Sequence, residues 1–271
     1  MEINKKISEL LTLVKEKKPL IHHITNYVTV NDCANIVLAL GGSPVMADAI
    51  EEVEDMVSIA STLVINIGTL NSTTVKSMIA AGKKANSLGI PVILDPVGIG
   101  ATPYRKEVAL NLIKEINFSV IRGNLAEIKT LGGLDSVSKG VDSEEIESDN
   151  SAKIAASLAK ELRTVIAITG VIDYISDGEK KISLKNGVEM LTKVTGTGCM
   201  TTSLIGTYCS VTKDYLTAAV AGIITMGISG ENAMRNLNES HGSGSYRTNI
   251  IDSVYNFSEL DLVERGAIYE N

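Results

Sequence analysis

The sequence predicts an α/β fold in one domain over 1–271, a central and mostly parallel sheet with helices on both faces. Two observations carry that expectation. Short apolar runs of strand length alternate with stretches of helical period from Leu20 to Thr169, the rhythm of repeated βα units. The chain also has no Trp, only two Phe and 23 Gly, a composition suited to close-packed helix-on-sheet layers, and 271 residues at 44% hydrophobic content suffice for a full core.

Taken in order, residues 1–18 carry Ile7, Leu10, Leu11 and Val14 at the spacing of an amphipathic helix, without the apolar core or cleavage site of a signal peptide. Strands are expected at 20–24, 43–46, 63–67, 91–95, 118–121 and 165–169, and helices at 30–40, 51–61, 72–88, 105–116, 125–131 and 151–162. The acidic stretch 135–150 reads as a solvated connector or short exposed helix, with no domain boundary. After Thr169 the rhythm changes. Segments 172–176 and 181–184 flank Asp177-Gly178-Glu179, a turn signal that makes them a hairpin, and 188–194 reads as a further strand. From Cys199 onward, breaks near Lys213-Asp214 and His241-Gly242-Ser243-Gly244 divide the pattern into three closing helices.

Composition excludes several classes of function. A formal net charge of −7 leaves no electrostatic footprint for nucleic acid or an anionic membrane surface. The longest apolar region, 216–228, is interrupted by Thr217, Gly222 and Thr225 and is shorter than the ~20 residues that span a bilayer. Cys33, Cys199 and Cys209 form no C-x-x-C pair, so no disulfide framework or zinc site is suggested, and a reducing cytoplasm is the expected compartment.

The strongest chemical signal is Val194-Thr195-Gly196-Thr197-Gly198-Cys199, after an expected strand and at the start of an apolar helix. Gly196, Thr197 and Gly198 can bring backbone amides up to an anion, and the helix start adds unpaired N–H groups and partial positive charge. The spacing is that of neither a P-loop nor a G-x-G-x-x-G motif, because Thr201 stands at the last glycine position. The same residues also read as a tight turn, with Thr197 as cap and Cys199 as buried filler.

In Arg122-Gly123-Asn124-Leu125-Ala126-Glu127, again past a strand, Arg122 can pair with phosphate and Glu127 can hold Mg²⁺. Asn124 and Glu127 at that spacing also make a capping box. Asp95 closes a strand before Pro96-Val97-Gly98, where open α/β sheets place ligand chemistry, or it caps the loop that follows. Thr169-Gly170 ends another strand in the same way and can line a nucleotide pocket. Asn26, after His22-His23-Ile24-Thr25, and Met46, in Pro44-Val45-Met46-Ala47-Asp48, can orient a small ligand. The histidines have no metal-ligand spacing and read as structural hydrogen-bonding groups, and Met46 also reads as core. Gly242-Ser243-Gly244-Ser245 reads as a helix N-cap.

Taken together, Ile24-Thr25-Asn26, Pro44-Val45-Met46-Ala47, Asp95-Pro96-Val97-Gly98, Arg122-Gly123-Asn124 with Glu127, Thr169-Gly170 and Gly196-Thr197-Gly198-Cys199 resemble, in order and spacing, the hydroxyethylthiazole kinase family. The resemblance implies a ribokinase-like fold, ATP with Mg²⁺, and phosphorylation of 4-methyl-5-(2-hydroxyethyl)thiazole in thiamine salvage by a homotrimer with sites at subunit interfaces. It places Arg122 and Thr169 on ATP, Met46, Gly196 and Asn26 on the thiazole, Asp95 and Glu127 on Mg²⁺, and Cys199 at the reacting hydroxyl, where sugar kinases of the wider group carry aspartate. The chain departs from the family pattern at His241-Gly242-Ser243-Gly244-Ser245-Tyr246, where Gly-Pro-Gly-[ST]-Phe is expected.

A thiol of ordinary pKa near 8.5 is only a few per cent thiolate at neutral pH, a fraction that a helix start can raise. Cys199 therefore reads either as a base or as a group that orients the alcohol. A kinase for a hydroxymethylpyrimidine or pyridoxal-type alcohol, an ATP-dependent NAD(P)H-hydrate dehydratase and a small-ligand sensor remain open as alternatives on the same fold.

Overall fold

A computed structural model describes residues 2–134 and 144–270. The chain opens with α1 (Glu2–Lys17) and then alternates β1 (Leu20–Ile24), α2 (Val30–Leu40), β2 (Ser43–Met46), α3 (Val53–Ile59), β3 (Thr62–Asn66), α4 (Ser72–Leu88), β4 (Val92–Asp95), α5 (Pro103–Glu115) and β5 (Val120–Asn124). Two helices, α6 (Leu125–Leu131) and α7 (Glu144–Leu162), precede β6 (Val165–Thr169) and the hairpin β7 (Asp173–Ser176) and β8 (Lys181–Leu184). The chain closes with α8 (Thr197–Cys209), α9 (Tyr215–Arg235), α10 (Ser243–Tyr255), α11 (Glu259–Arg265) and β9 (Ile268–Glu270).

One nine-stranded sheet runs β2-β1-β3-β4-β5-β6-β7-β8-β9. Strands β1 to β6 pair in parallel, and β7 to β9 extend the edge antiparallel. Alternate residues of the central strands feed two cores. In β4, Ile93 joins the core under α1, α2, α8, α9 and α10, whereas Val92 and Leu94 join the one under α3 to α7. Each such fully buried Ile or Leu stabilises the fold by about 1.5–3 kcal/mol, which is why both faces must be covered. The amphipathic reading of the N-terminus holds: α1 buries Ile7, Leu10, Leu11 and Val14. Among the described residues no helix is long and apolar enough to cross a membrane.

Several boundaries differ from the sequence reading. Residues 188–194 are not a strand but a 3₁₀ helix, Glu189–Lys193. The free edge of β8 is taken by β9, through Leu184↔Ile268, and Glu231 accepts the Gly187 N–H at 2.9 Å, turning the chain away from the sheet. Four helices follow rather than three, because Ser258 and Asp261 cap the short α11 in a reciprocal box. Helix α7 begins at Glu144, where a polar opening shows no apolar stripe to be read; 135–143 lie outside the described residues. Strand β5 continues to Asn124 because Gly123 and Asn124 pair with Ile168 and Thr169, so Arg122 projects from the strand itself.

Candidate active site

Parallel strands end on one edge of the sheet, and here that edge collects polar residues. Asn26 follows β1, Asn66 ends β3, Asp95 ends β4, Asn124 ends β5 and Thr169 ends β6. Register aligns Asn66 with Asp95 and Asn124 with Thr169. Because β1 lies between β2 and β3, the connections reverse direction beside it, the point at which open α/β sheets form a ligand crevice.

The N-terminus of α8 faces these strand ends. Gly196 is its N-cap with φ +87°, a left-handed conformation that favours glycine, and a Cβ there would stand 2.5 Å from Thr29 Cγ2. Thr197 is not the cap; its hydroxyl donates back to the Leu191 carbonyl at 3.2 Å. A Cβ on Gly198 would stand 2.5 Å from Arg122 Nη1, so the guanidinium lies directly over this turn. Arg122 also donates through Nη2 to Thr169 Oγ1 and stands 3.8 Å from Asp95 Oδ2.

Asp95 is fully buried, and its Oδ2 accepts from Thr202 Oγ1 at 2.8 Å. Burial pushes its carboxyl up to about 6; Arg122 and the Thr202 hydroxyl oppose that shift and Glu127 adds to it. Asp95 Oδ1 and Arg122 Nε are buried without a hydrogen-bond partner among the described residues. Glu127 accepts the Gly98 N–H and the Asn124 N–H, each at 2.8 Å, while Asn124 Oδ1 accepts the Glu127 N–H. The capping box is therefore real, and it also ties the loop after β4 to the start of α6.

Cys199 is the third residue of α8. Its sulfur accepts from Asn66 Nδ2 at 3.2 Å and from Asn26 Nδ2 at 3.4 Å. Burial and then the charge of Asp95 push its thiol above the ordinary range. Met46 is only half-buried and lies away from this cluster, lining an adjoining cavity of about 190 Å³ with His23, Thr25, Tyr27 and Thr69. Both histidines are held in the structure: His22 Nε2 pairs with the Ala47 carbonyl at 2.7 Å and His23 Nε2 with Ser203 Oγ at 3.1 Å. Burial lowers both, His23 to about 4.

Sequence reasoning passed over Asn66, Thr202, Arg105 and Asp173. Arg105, in the first turn of α5, donates to the carbonyls of Ile67 and Gly68 at 2.7 Å and of Val97 at 3.0 Å, strapping the loops after β3 and β4 together. Asp173 accepts the Gly170 N–H at 2.9 Å and fixes the turn after Thr169. Asn66 carried no usable signal, because Ile67 continues the apolar run past it.

The mostly parallel sheet, flanked by helices and met at its strand ends by the start of α8, has a ribokinase-like α/β fold. The fold matches the pyridoxal kinase of Staphylococcus aureus in complex with pyridoxal, with a TM-score of 0.64 and 17% identity over 94% of this chain and 98% of that one. Much nearer is the hydroxyethylthiazole kinase structure from Pyrococcus horikoshii OT3, with a TM-score of 0.90 and 40% identity over 98% of this chain and 99% of that one. The hydroxyethylthiazole kinase of Clostridium tetani is 56% identical over 273 aligned positions, covering 99% of both chains. The sequence profile of the hydroxyethylthiazole kinase family matches residues 11–259. The chain belongs to the hydroxyethylthiazole kinase family.

Proposed function

We propose that this chain transfers the γ-phosphoryl group of ATP to the hydroxyl of 4-methyl-5-(2-hydroxyethyl)thiazole, releasing ADP, as a step of thiamine salvage in the cytoplasm. One observation carries the reading: the Arg122 guanidinium lies over Gly198 at the N-terminus of α8, between Asp95 and Thr169. A helix start leaves its first N–H groups without intrahelical acceptors, so Gly196, Thr197 and Gly198 form the anion hole, with the Cys199 N–H beside them. Arg122 and Thr169 hold ATP, while Asn26, Met46 and Gly196 border the thiazole. In this arrangement Cys199 stands at the alcohol. Catalysis is mainly positioning and charge stabilisation, because phosphoryl transfer passes through a loose transition state.

Mg²⁺ fits the residues present. Among the described residues Asp95 Oδ1 has no partner and each Glu127 oxygen takes one backbone N–H, leaving acceptor capacity on both carboxylates. Among the described residues no group of three or more His, Cys, Asp or Glu side chains gathers, and one or two carboxylates completed by nucleotide phosphates is the usual way Mg²⁺ is held. When bound, Mg²⁺ supplies neutralisation of phosphate charge.

A homotrimer with sites at its interfaces is part of the same proposal. Its support is the exposure of Tyr27 and Val28, apolar side chains beside Asn26 at the mouth of the site, which a second copy would cover. Light scattering on a sizing column measures that state. The activity is tested by ADP release from Mg-ATP with a panel of thiazole, pyrimidine, pyridoxine and sugar alcohols. Selective turnover of the thiazole is expected, and equal or absent turnover of it would sink the substrate assignment.

A further inference from the structure

Asn66 ends β3 beneath the first turn of α8 and is buried. Its Oδ1 accepts the Gly68 N–H at 2.9 Å and the Asn26 amide at 2.9 Å. Asn26 Oδ1 in turn accepts the N–H and the hydroxyl of Thr29, both at 3.1 Å. A backbone N–H can only donate, so the Gly68 amide requires Asn66 Oδ1 opposite it, and that oxygen in turn requires the Asn26 NH₂ group rather than its oxygen. That settles both side-chain orientations: the two NH₂ groups face Cys199, and its sulfur receives two N–H donors. Neither amide offers that side of the thiol an acceptor, so the S–H must point elsewhere.

We propose that Asn66 is a positioning residue for the transfer step: together with Asn26 it occupies the acceptor side of the Cys199 sulfur and turns the S–H towards the acceptor alcohol. The inference rests on Cys199 standing at the reacting hydroxyl, as proposed above. Cys199 then orients the alcohol oxygen as a donor, leaving another lone pair of that oxygen to attack phosphorus. The P–O bond to ADP breaks as the new one forms, and the alcohol proton leaves to a phosphoryl oxygen or water. Asn66 acts only through the thiol.

A double-substitution cycle separates this role from a merely structural one. Asn66→Ala lowers kcat about tenfold with the KM for ATP changed less than about threefold, and in a Cys199→Ala background the same substitution changes kcat by less than about twofold. Loss by the same factor in both backgrounds, or no loss at all, would overturn the proposal. Asn66→Asp keeps the oxygen that Gly68 and Asn26 require while exchanging the N–H donor for a carboxylate oxygen, so it replaces Asn66→Ala in the cycle if that variant does not fold. A parent chain that releases no ADP with any alcohol refutes the kinase reading instead. The contact is then read in the ligand-free protein by iodoacetamide alkylation of Cys199 followed by peptide mass spectrometry. Asn66→Asp slows that reaction about fivefold, because the thiolate loses a donor and gains a like charge; an unchanged rate overturns the proposed contact.

Discussion

Asp173→Asn should stabilise the protein, and by an amount that depends on pH. The Asp173 carboxyl is buried at the start of β7, and burial pushes it up from 3.8 to about 7 against the opposing Gly170 N–H and Arg122. Below pH ~4 the group is protonated in folded and unfolded chains alike and contributes no difference. Between that pH and about 7 only the folded chain holds the proton, so stability falls as pH rises; above 7 the loss is complete. Three pH units at 1.36 kcal/mol each give roughly 4 kcal/mol. An Asn retains the oxygen that Gly170 requires and has no charge to bury. At about 2.1 cal/mol/K per residue, a chain of this length melts with an entropy of roughly 570 cal/mol/K, so 4 kcal/mol raises Tm by about 7 °C. Thermal melts of both proteins at pH 4, 6 and 8 should show a gap that is small at pH 4 and widest at pH 8. A gap of the opposite sign, or one independent of pH, would refute the claim that burial outweighs the polar contacts of this carboxyl.

Three further outcomes test the site. Glu127→Gln keeps one oxygen for the two backbone N–H groups it now receives, so it should raise the Mg²⁺ concentration needed for half-maximal activity and cost about 1 kcal/mol of helix capping. Melting and Mg²⁺ titration read the two effects separately, and a fall in Tm alone would leave only the cap. Gly198→Ala puts a methyl 2.5 Å from Arg122 Nη1; the guanidinium must shift, and the KM for ATP should rise at least about tenfold, a loss near 1.4 kcal/mol, while the thiazole KM moves little. Cys199→Asp should preserve or increase turnover, since the amides of Asn26 and Asn66 already present two N–H donors to an acceptor there, and Cys199→Ser should keep partial activity. If both variants bound ATP and thiazole normally yet turned nothing over, a thiol-specific role would be required.

The parallel part of the sheet was legible because both of its faces are covered: every strand from β1 to β6 is a short apolar run, and a helical stretch separates each from the next. Asp95 was legible for the same reason in reverse, as a charge that ends such a run before a proline. Asn66 hides because Ile67 continues the apolar run past it, so the strand end is not marked. Thr202 and Arg105 reach the site through contacts 107 and 38 residues distant in sequence, set by the stacking of α8 and α5 on the strands, which no local pattern records. The misreading at 188–194 has a similar origin. Local alternation there resembles a strand, but the sheet edge it would join belongs to the chain's last residues, Ile268–Glu270.

Arg122 is the group at which these contacts converge, and the described residues alone do not satisfy it. Its separation of 3.8 Å from Asp95 is too long for a hydrogen bond, and among the described residues Nε has no partner and Nη2 alone makes a firm contact, to Thr169. A largely buried guanidinium so poorly paired is unfavourable unless an anion completes it. Asp95 is a poor substitute, because at 3.8 Å it makes no hydrogen bond to the guanidinium and its Oδ2 is already taken by the Thr202 hydroxyl. A phosphate over Gly198 would supply what Asp95 does not, accepting from the arginine and from the α8 amides together. The glycine turn marks where an anion can approach; the under-paired arginine is the stronger reason to expect one there.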